Sequence, residues 1–462
     1  MASAATGDNQ VIVAVATPPG RGAIGIVRLS GPGALAVARS FLPAKALEPR
    51  RPTLVWARDG DTRLDRILAT VFPAGGSYTG EEMVEVSAHG SPYVLARLVE
   101  LSRRAGARPA RPGEFTQRAF INGRLDLAQA EAVCDLIAAR TRLSHRAAVA
   151  QLEGGLSRRV RALCARVLEL TALVEANLDH PDEDIPPLCA RSTRERLDCI
   201  LSQLDVLAAG FRRGRLARGG ARVAIVGRVN AGKSSLLNAL LGSDRAIVSE
   251  RAGTTRDTIE ETADLDGLEA VLIDTAGLRE APSDRIEREG QARARTAVRG
   301  ADAAILVVDR TGPPGPHRGL LELVRRAAGA GAEERPVIVA LNKSDLEPSR
   351  TGPGDLGLRP PQALEVSART GAGLGALTGA LRRAIEGSAV PDGESAVSAT
   401  SLRHQEALTQ AAAELKAARD GSHGELVAFH LRRALDELGA IVGRTTTEDV
   451  LGEVFSRFCV GK

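Results

Sequence analysis

Gly227-Arg228-Val229-Asn230-Ala231-Gly232-Lys233-Ser234-Ser235 is the stretch on which the reading of this chain turns. Just before it, Arg222-Val223-Ala224-Ile225-Val226 is a short apolar, largely β-branched run that predicts a strand. Just after it, Ser235-Leu236-Leu237-Asn238-Ala239-Leu240-Leu241 has helical apolar spacing. The glycines therefore fall at a strand-to-helix turn, where backbone N–H groups and the positive end of the helix dipole form a cradle for phosphates. In such a cradle Lys233 reaches the β- and γ-phosphates and the Ser234 hydroxyl sits on Mg²⁺, with Asn230, Ala231, Gly232 and Ser235 as neighbours in the loop.

Further motifs follow in a fixed order. Gly253-Thr254-Thr255-Arg256-Asp257 lies where a switch segment belongs, and Thr255 is the natural second protein ligand to Mg²⁺. Asp274-Thr275-Ala276-Gly277 closes the apolar run Ala270-Val271-Leu272-Ile273 with a carboxylate that can hold the metal through water, while the Gly277 N–H can meet the γ-phosphate. Asn342-Lys343-Ser344-Asp345 ends another strand-like run. The Asp345 carboxylate can accept two hydrogen bonds from the ring N–H and exocyclic amine of guanine, whereas adenine offers no such donor pair. Ser367-Ala368-Arg369 is the expected loop against the guanine oxygen. Together these motifs read as a guanine-nucleotide hydrolase that uses GTP and Mg²⁺.

Two departures from the common small-GTPase pattern bear on chemistry. After Asp-Thr-Ala-Gly stands Leu278, not the glutamine that usually orients the attacking water, so another residue must do this; Glu280, Asp284, Glu287 and Glu289 are the nearby acids. The second is Asn230, two residues before Gly232. An asparagine there, with a structured switch, resembles GTPases in which a K⁺ ion supplies the charge that others take from an arginine finger.

At 462 residues and 44% hydrophobic content, the chain supports two or three domains with cores of their own. Lys45, Lys233, Lys343, Lys416 and Lys462 are its only lysines among 61 basic residues, and two of them fall in nucleotide motifs. A compact, flexible ammonium and a planar fork are not interchangeable, so those two positions read as selected for lysine chemistry. No segment approaches the ~18 uncharged apolar residues of a membrane span, and no basic-then-apolar leader opens the chain, which predicts a cytoplasmic protein with no membrane partner. Cys134, Cys164, Cys189, Cys199 and Cys459 lack paired spacing and histidine neighbours, so neither a zinc site nor a disulfide framework is expected, and the first four read as helix packing. The net charge of +4 is mildly basic, with arginines bunched at 158–161 and 212–215 that could meet RNA phosphates. An aromatic content of 2% argues against a base-stacking platform.

Periodicity divides the chain further. Residues 1–122 read as an α+β unit, with strands at 11–15, 24–29 and 83–86 and helices at 34–41 and 93–104. Residues 123–220 read as helical, Leu152, Leu156, Val160, Leu163, Val167, Leu170, Val174 and Leu178 lining one face of a long helix. Residues 221–387 alternate strand and helix, including 303–309, 337–341 and 364–367, which predicts a mainly parallel sheet. A small-residue linker at 388–400 returns to helix through 462. The nucleotide domain is thus expected to be inserted between two parts of a helical domain.

Thr17-Pro18-Pro19-Gly20-Arg21-Gly22, Arg111-Pro112-Gly113-Glu114-Phe115-Thr116-Gln117-Arg118-Ala119-Phe120, Leu125-Asp126-Leu127-Ala128-Gln129-Ala130-Glu131-Ala132 and Phe458-Cys459-Val460-Gly461-Lys462 are not generic GTPase sequence. On these segments the chain closely resembles, over essentially its whole length, the bacterial tRNA-modification GTPases of the MnmE or TrmE family. The resemblance implies an N-terminal folate-binding and dimerising domain, a helical domain and an inserted G domain. It implies a homodimer whose G domains meet across their nucleotide faces in K⁺. The K⁺ ligands would be the Asn230 side chain, the carbonyls of Ser249 and Arg251, and Thr254; the family is usually apolar at the position of Arg251, a change a carbonyl ligand tolerates. Glu287 aligns with the family's water-activating glutamate. A reduced folate, formyl- or methylene-tetrahydrofolate, would be held by Arg28, Glu85, Arg124 and Lys462, Arg124 standing where lysine is common. Cys459, a candidate reactive thiol, would lie near the folate's reactive carbon. The implied function is addition of an aminomethyl or carboxymethylaminomethyl group to ring carbon five of the wobble uridine of certain tRNAs, shared with a flavin (FAD)-dependent partner. A ribosome-assembly GTPase, acting as an RNA-binding switch, is the alternative; several such proteins share the switch motif and the loop asparagine.

Overall fold

The computed structural model describes residues 10–43, 47–179, 190–209, 215–216, 220–242, 259–265, 268–274, 295–329, 335–347, 350–386, 401–421, 423–444, 447–456 and 458–461. They fall into two compact units: Met1–Cys134 with Leu152–Thr193 and Ala413–Lys462, and Asp135–Gln151 with Arg194–Ala412.

The first unit holds β1 (Ile12–Val15), β2 (Gly22–Ser30), α1 (Ala34–Ala38), β3 (Thr53–Asp59), β4 (Thr62–Phe72), β5 (Met83–Gly90), α2 (Pro92–Arg104), β6 (Arg108–Pro109), α3 (Glu114–Ile121) and α4 (Leu127–Ala138), whose last residues pass into the second unit. The strands form one sheet in the order β3-β4-β5-β2-β1-β6, antiparallel except for β1 beside β6. Period-two alternation gives the sheet two different faces. Val27, Leu29, Ile67, Ala69, Val84 and Val86 join the core packed with α1 and α2. Ile12 and Ala14 point the other way, onto Phe115 of α3. The β3–β4 hairpin is not among the sequence-predicted strands. Its available signal was the Asp59-Gly60 turn, with Gly60 at φ 59°.

Helices α5 (Arg142–Leu152), α6 (Gly155–Asp179) and α7 (Ala190–Ala209) follow. Leu152 was expected to share a helix with Leu156; instead α5 stops at Leu152 and Gly154, at φ 79°, turns the chain before α6. From Leu156 to Val174 the apolar stripe is buried as its spacing predicts.

In the second unit β7 (Ala221–Gly227), α8 (Lys233–Leu241), β8 (Ile259–Leu265), β9 (Leu268–Asp274), β10 (Ala303–Asp309), α9 (Gly315–Ala328), β11 (Val337–Asn342), β12 (Ala363–Glu365) and α10 (Leu374–Glu386) build a second sheet in the order β12-β11-β10-β7-β9-β8, parallel but for β8 against β9. Both faces are covered, which is why the parallel strands read as continuous apolar runs. On β10, Ala303, Ile305 and Val307 enter one core and Ala304, Leu306 and Val308 the other. The chain closes with α11 (Leu402–Asp420), α12 (Gly424–Val442) and α13 (Glu448–Ser456). Among the described residues no helix is long and apolar enough to cross a membrane.

Candidate functional site

In a doubly covered parallel sheet the ligand crevice lies outside the carboxyl ends of the strands. β7, β10 and β11 end there at Gly227, Asp309 and Asn342. Gly232 caps α8 at φ 89°, and a Cβ on it would stand 2.3 Å from Asn342 Nδ2, so this position admits only glycine. Asn230, at φ 63°, makes a second left-handed turn in the loop. Lys233 Nζ donates to the Arg228 carbonyl at 2.9 Å, so its ammonium lies back over the loop. Ser234 and Ser235 are exposed at the mouth of the helix.

Asn342, buried, joins the loops. Its Nδ2 donates to the Ala231 carbonyl at 2.9 Å, and its Oδ1 accepts the Ala368 N–H at 3.0 Å. One amide thereby fixes the phosphate loop to the Ser367-Ala368-Arg369 loop. Ser367 Oγ donates to Asp345 Oδ1 at 2.6 Å. That bond holds the exposed Asp345 carboxyl below its ordinary range, leaving it an ionised acceptor. Lys343, at φ 65°, reaches Asp309 Oδ2 at 2.6 Å. Ser249, Arg251, Thr254, Thr255, Thr275, Ala276, Gly277 and Glu287 lie outside the described residues, and of Asp274 only the backbone, closing β9, is described.

A second constellation lies in the first unit. β2 and β5 place Arg28 directly opposite Glu85. Arg28 Nε donates to Glu85 Oε1 at 2.8 Å, and another guanidinium nitrogen reaches the Gly461 carbonyl at 3.3 Å. The rings of Tyr78 and Phe115 lie 5.7 and 5.6 Å from the guanidinium carbon. Burial raises the Tyr78 phenol, and its oxygen meets Thr116 Oγ1 at 2.9 Å. Gly461, at φ 101°, leaves no room for a Cβ, which would sit 2.4 Å from the Val15 carbonyl. The tail is thereby held on the sheet beside Arg28.

The Arg-Pro-Gly-Glu-Phe motif supplies the support. Glu114 is nearly buried and binds both outer nitrogens of Arg108, at 2.8 and 2.5 Å, and the Arg111 N–H at 2.8 Å. Burial alone would raise its carboxyl, yet these bonds win and lower it. Phe115 follows onto the Arg28 guanidinium. Sequence reasoning missed Tyr78 and Phe115 as site residues; the scarcity of aromatics, with only two tyrosines in the chain, was the available signal.

Arg124 is exposed and lies against Gly80, whose hypothetical Cβ would meet Arg124 Cγ at 3.3 Å, while Lys462 lies outside the described residues. Cys459 is exposed, and its carbonyl accepts the Gly113 N–H. Cys164 is buried, with its thiol pushed up by burial, as helix packing requires. Cys199 departs from that expectation: it lies on the solvent side of α7, opposite the buried Leu197, Ile200, Leu201 and Leu204, its Sγ 3.5 Å from Gln203 Nε2. Cys189 lies outside the described residues.

The strand-to-helix phosphate loop and the guanine loop beside it define a P-loop GTPase, here carried with a separate α+β unit. Residues 11–124 match the family described as GTP-binding protein TrmE N-terminus, and residues 127–459 match the MnmE helical domain. A tRNA modification GTPase MnmE of Alkalilimnicola ehrlichii is 44% identical over 458 residues, covering 98% of this chain and 99% of the relative. One of Akkermansia muciniphila is 42% identical over 469 residues, covering 99% and 100%. The chain belongs to the tRNA modification GTPase MnmE family. This kinship sets aside the ribosome-assembly alternative.

Proposed function

We propose that this chain binds GTP at the carboxyl ends of β7, β10 and β11, hydrolyses it, and uses the turnover in modifying the wobble uridine of tRNA at ring carbon five. The observation that carries the reading is the pairing, in one chain of this family, of the Asn342-braced nucleotide loops with the Arg28–Glu85 pocket.

At the nucleotide, the N–H groups leading into α8 and the Lys233 ammonium face the phosphates, and Asp345 takes the two guanine N–H donors. Ser234 and Thr255 would hold Mg²⁺, with Asp274 behind them, and Gly277 would meet the γ-phosphate; Asn230, Ser249, Arg251 and Thr254 would hold K⁺. Bound there, the two cations supply positive charge against the transferring phosphoryl group. Glu287 orients the attacking water, taking the place of the glutamine absent at Leu278.

In the N-terminal pocket Glu85 Oε1 is taken by Arg28, while Oε2 has no hydrogen-bond partner among the described residues. That oxygen suits the N–H donors of a pterin ring, and Arg28, Arg124 and Lys462 suit carboxylates. A reduced folate would supply the one-carbon unit, and Cys459 lies two residues before Gly461, whose carbonyl meets Arg28. FAD chemistry belongs to a partner protein. Association into a homodimer has support in the same sheet: the register places exposed Leu54 opposite exposed Leu68, with Trp56 two residues on, on the solvent face of β3 and β4. On this reading the proposed domain limits are 1–122, 123–220, 221–387 and 388–462, the G domain inserted in the helical one.

A mass-spectrometric nucleoside inventory of tRNA from cells lacking the chain, with and without add-back, tests the function. Loss of aminomethyl-type wobble uridines that add-back restores is the expected result. An unchanged inventory would overturn the RNA substrate while leaving the GTPase assignment standing.

A further inference from the structure

We propose that Asp309 is a positioning residue of the guanine site: by holding the Lys343 ammonium it keeps that lysine off Asp345 and leaves the Asp345 carboxylate to the base. The proposal rests on the reading of Asp345 as the guanine acceptor. It concerns a residue at the end of β10, outside the nucleotide motifs.

Lys343 pairs with the Asp309 carboxylate and stands two residues before Asp345 in the same loop. β10 and β11 run parallel with Asp309 in register with Asn342, so the end of one strand lies beside the start of the guanine loop. Lys343 has its backbone in the left-handed region at φ 65°, which a lysine holds only where its surroundings impose it. They do so from several sides. The Asn342 amide is tied to Ala231 and Ala368, Arg310 donates to the Ser344 carbonyl at 3.1 Å, the Ser344 N–H reaches the Val366 carbonyl at 3.1 Å, and the Leu346 N–H bonds the Lys343 carbonyl at 3.0 Å. With the backbone fixed, what remains free in a lysine is its four-carbon stem.

Asp309 fixes that stem. Its Oδ1 accepts both the Thr311 N–H, at 3.0 Å, and the Thr311 hydroxyl, at 2.7 Å, so the carboxylate cannot rotate. Its Oδ2 is thereby presented to Lys343 Nζ at 2.6 Å. Burial would raise the Asp309 carboxyl, yet the bonds from Lys343 and Thr311 outweigh it and keep the group ionised. The order of support runs from Thr311 to Asp309 to Lys343.

The consequence lies at Asp345. It is exposed, and its Oδ1 already takes the Ser367 hydroxyl. A released Lys343 ammonium, two residues away, would have the Asp345 carboxylate as the nearest opposite charge in its own loop. Each such ion pair occupies lone pairs that guanine's two N–H donors require. The Asp309–Lys343 pair therefore keeps the recognition carboxylate open.

The test is a double-mutant cycle on the full-length protein, reading mant-GDP affinity together with KM and kcat for GTP. Asp309→Asn is expected to weaken mant-GDP binding and raise KM about five- to tenfold, with kcat at saturating GTP unchanged. In a Lys343→Ala background the same substitution is expected to change affinity by less than about twofold, because the ammonium it restrains is gone. Thr311→Val, which removes the hydroxyl bond to Asp309 Oδ1 and leaves the backbone N–H bond and the carboxylate in place, gives a smaller loss of the same sign and decides the matter if Asp309→Asn does not fold. Equal losses in both backgrounds, no loss, or a fall in kcat with KM unchanged would overturn the proposal. Failure of the underlying guanine reading is a separate result: Asp345→Asn would then keep its preference for GTP over xanthosine triphosphate.

Discussion

Arg28 and Glu85 face each other across β2 and β5, and two guanidinium nitrogens, at 2.8 and 2.7 Å, converge on the single oxygen Glu85 Oε1. The pair is mostly shielded from solvent, lies against the rings of Tyr78 and Phe115, and touches the tail at Gly461. It consequently joins a sheet, a helix and the closing segment in one place. Arg28→Met removes the charge and all three contacts. Calorimetric titration with 5-formyl-tetrahydrofolate is expected to show affinity reduced at least about tenfold. Binding of mant-GDP should stay as in the wild type. Unchanged folate affinity would remove Arg28 from the site.

Asn342 is the mechanical link between the phosphate loop and the guanine loop, since one amide satisfies the Ala231 carbonyl and the Ala368 N–H. Truncation to alanine strands both backbone groups and frees the loops from each other. A loss of about 2–3 kcal/mol in urea unfolding is expected, with mant-GDP affinity lowered more than about tenfold. A variant that loses stability but binds nucleotide normally would show that the link serves the fold alone.

Asp345→Asn exchanges an acceptor for a donor amide at the position facing the guanine exocyclic amine. A xanthine base, which carries an oxygen there, then becomes the better match. Steady-state hydrolysis is expected to shift from GTP toward xanthosine triphosphate by at least about a hundredfold in relative kcat/KM.

Replacing K⁺ by Na⁺ reports on Asn230, whose left-handed backbone at φ 63° turns it away from the regular course of the loop. Hydrolysis is expected to be markedly faster in K⁺, and Asn230→Ala to remove the difference between the salts. Equal wild-type rates in both would rule out the cation. Glu287→Ala should retain GTP binding and lose hydrolysis; turnover at the wild-type rate would assign the water to another acid.

The nucleotide loops were legible because their function forces local sequence: Gly232 cannot be replaced beside Asn342, and the strand, turn and helix around it are contiguous. The parallel sheet was legible because strands buried on both faces carry unbroken apolar runs, as Val223–Val226 of β7 and Ala303–Val308 of β10 do. The β3–β4 hairpin was missed for the opposite reason. Leu54, Trp56 and Leu68 lie on its wet face, so the apolar alternation that marks a half-buried strand is blurred there. The aromatic neighbours of Arg28 were missed because Tyr78 and Phe115 come from segments far apart in sequence, and only the sheet register and the Glu114 clamp bring them onto Arg28. The break before α6 turned on Gly154, a residue whose φ no periodicity reveals.

His317 is a buried titratable group that belongs to no motif. It lies in the first turn of α9, is 5% exposed, and its Nδ1 has no hydrogen-bond partner. Burial first, then the charge of Arg228, lowers its pKa from 6.5, against the opposing pull of Asp309. The folded state thus takes up a proton at lower pH than the unfolded state does. Its contribution is fully present above the unfolded value of 6.5 and is lost progressively as pH falls below it, because the unfolded chain then binds a proton that the folded chain refuses. The slope is bounded by one proton, about 1.4 kcal/mol per pH unit. Urea unfolding at pH 7.5 and 5.5 is expected to show a larger acid loss for the wild type than for His317→Gln, which cannot titrate. The same acid loss in both proteins would mean that the imidazole ionises alike in the folded and unfolded chains.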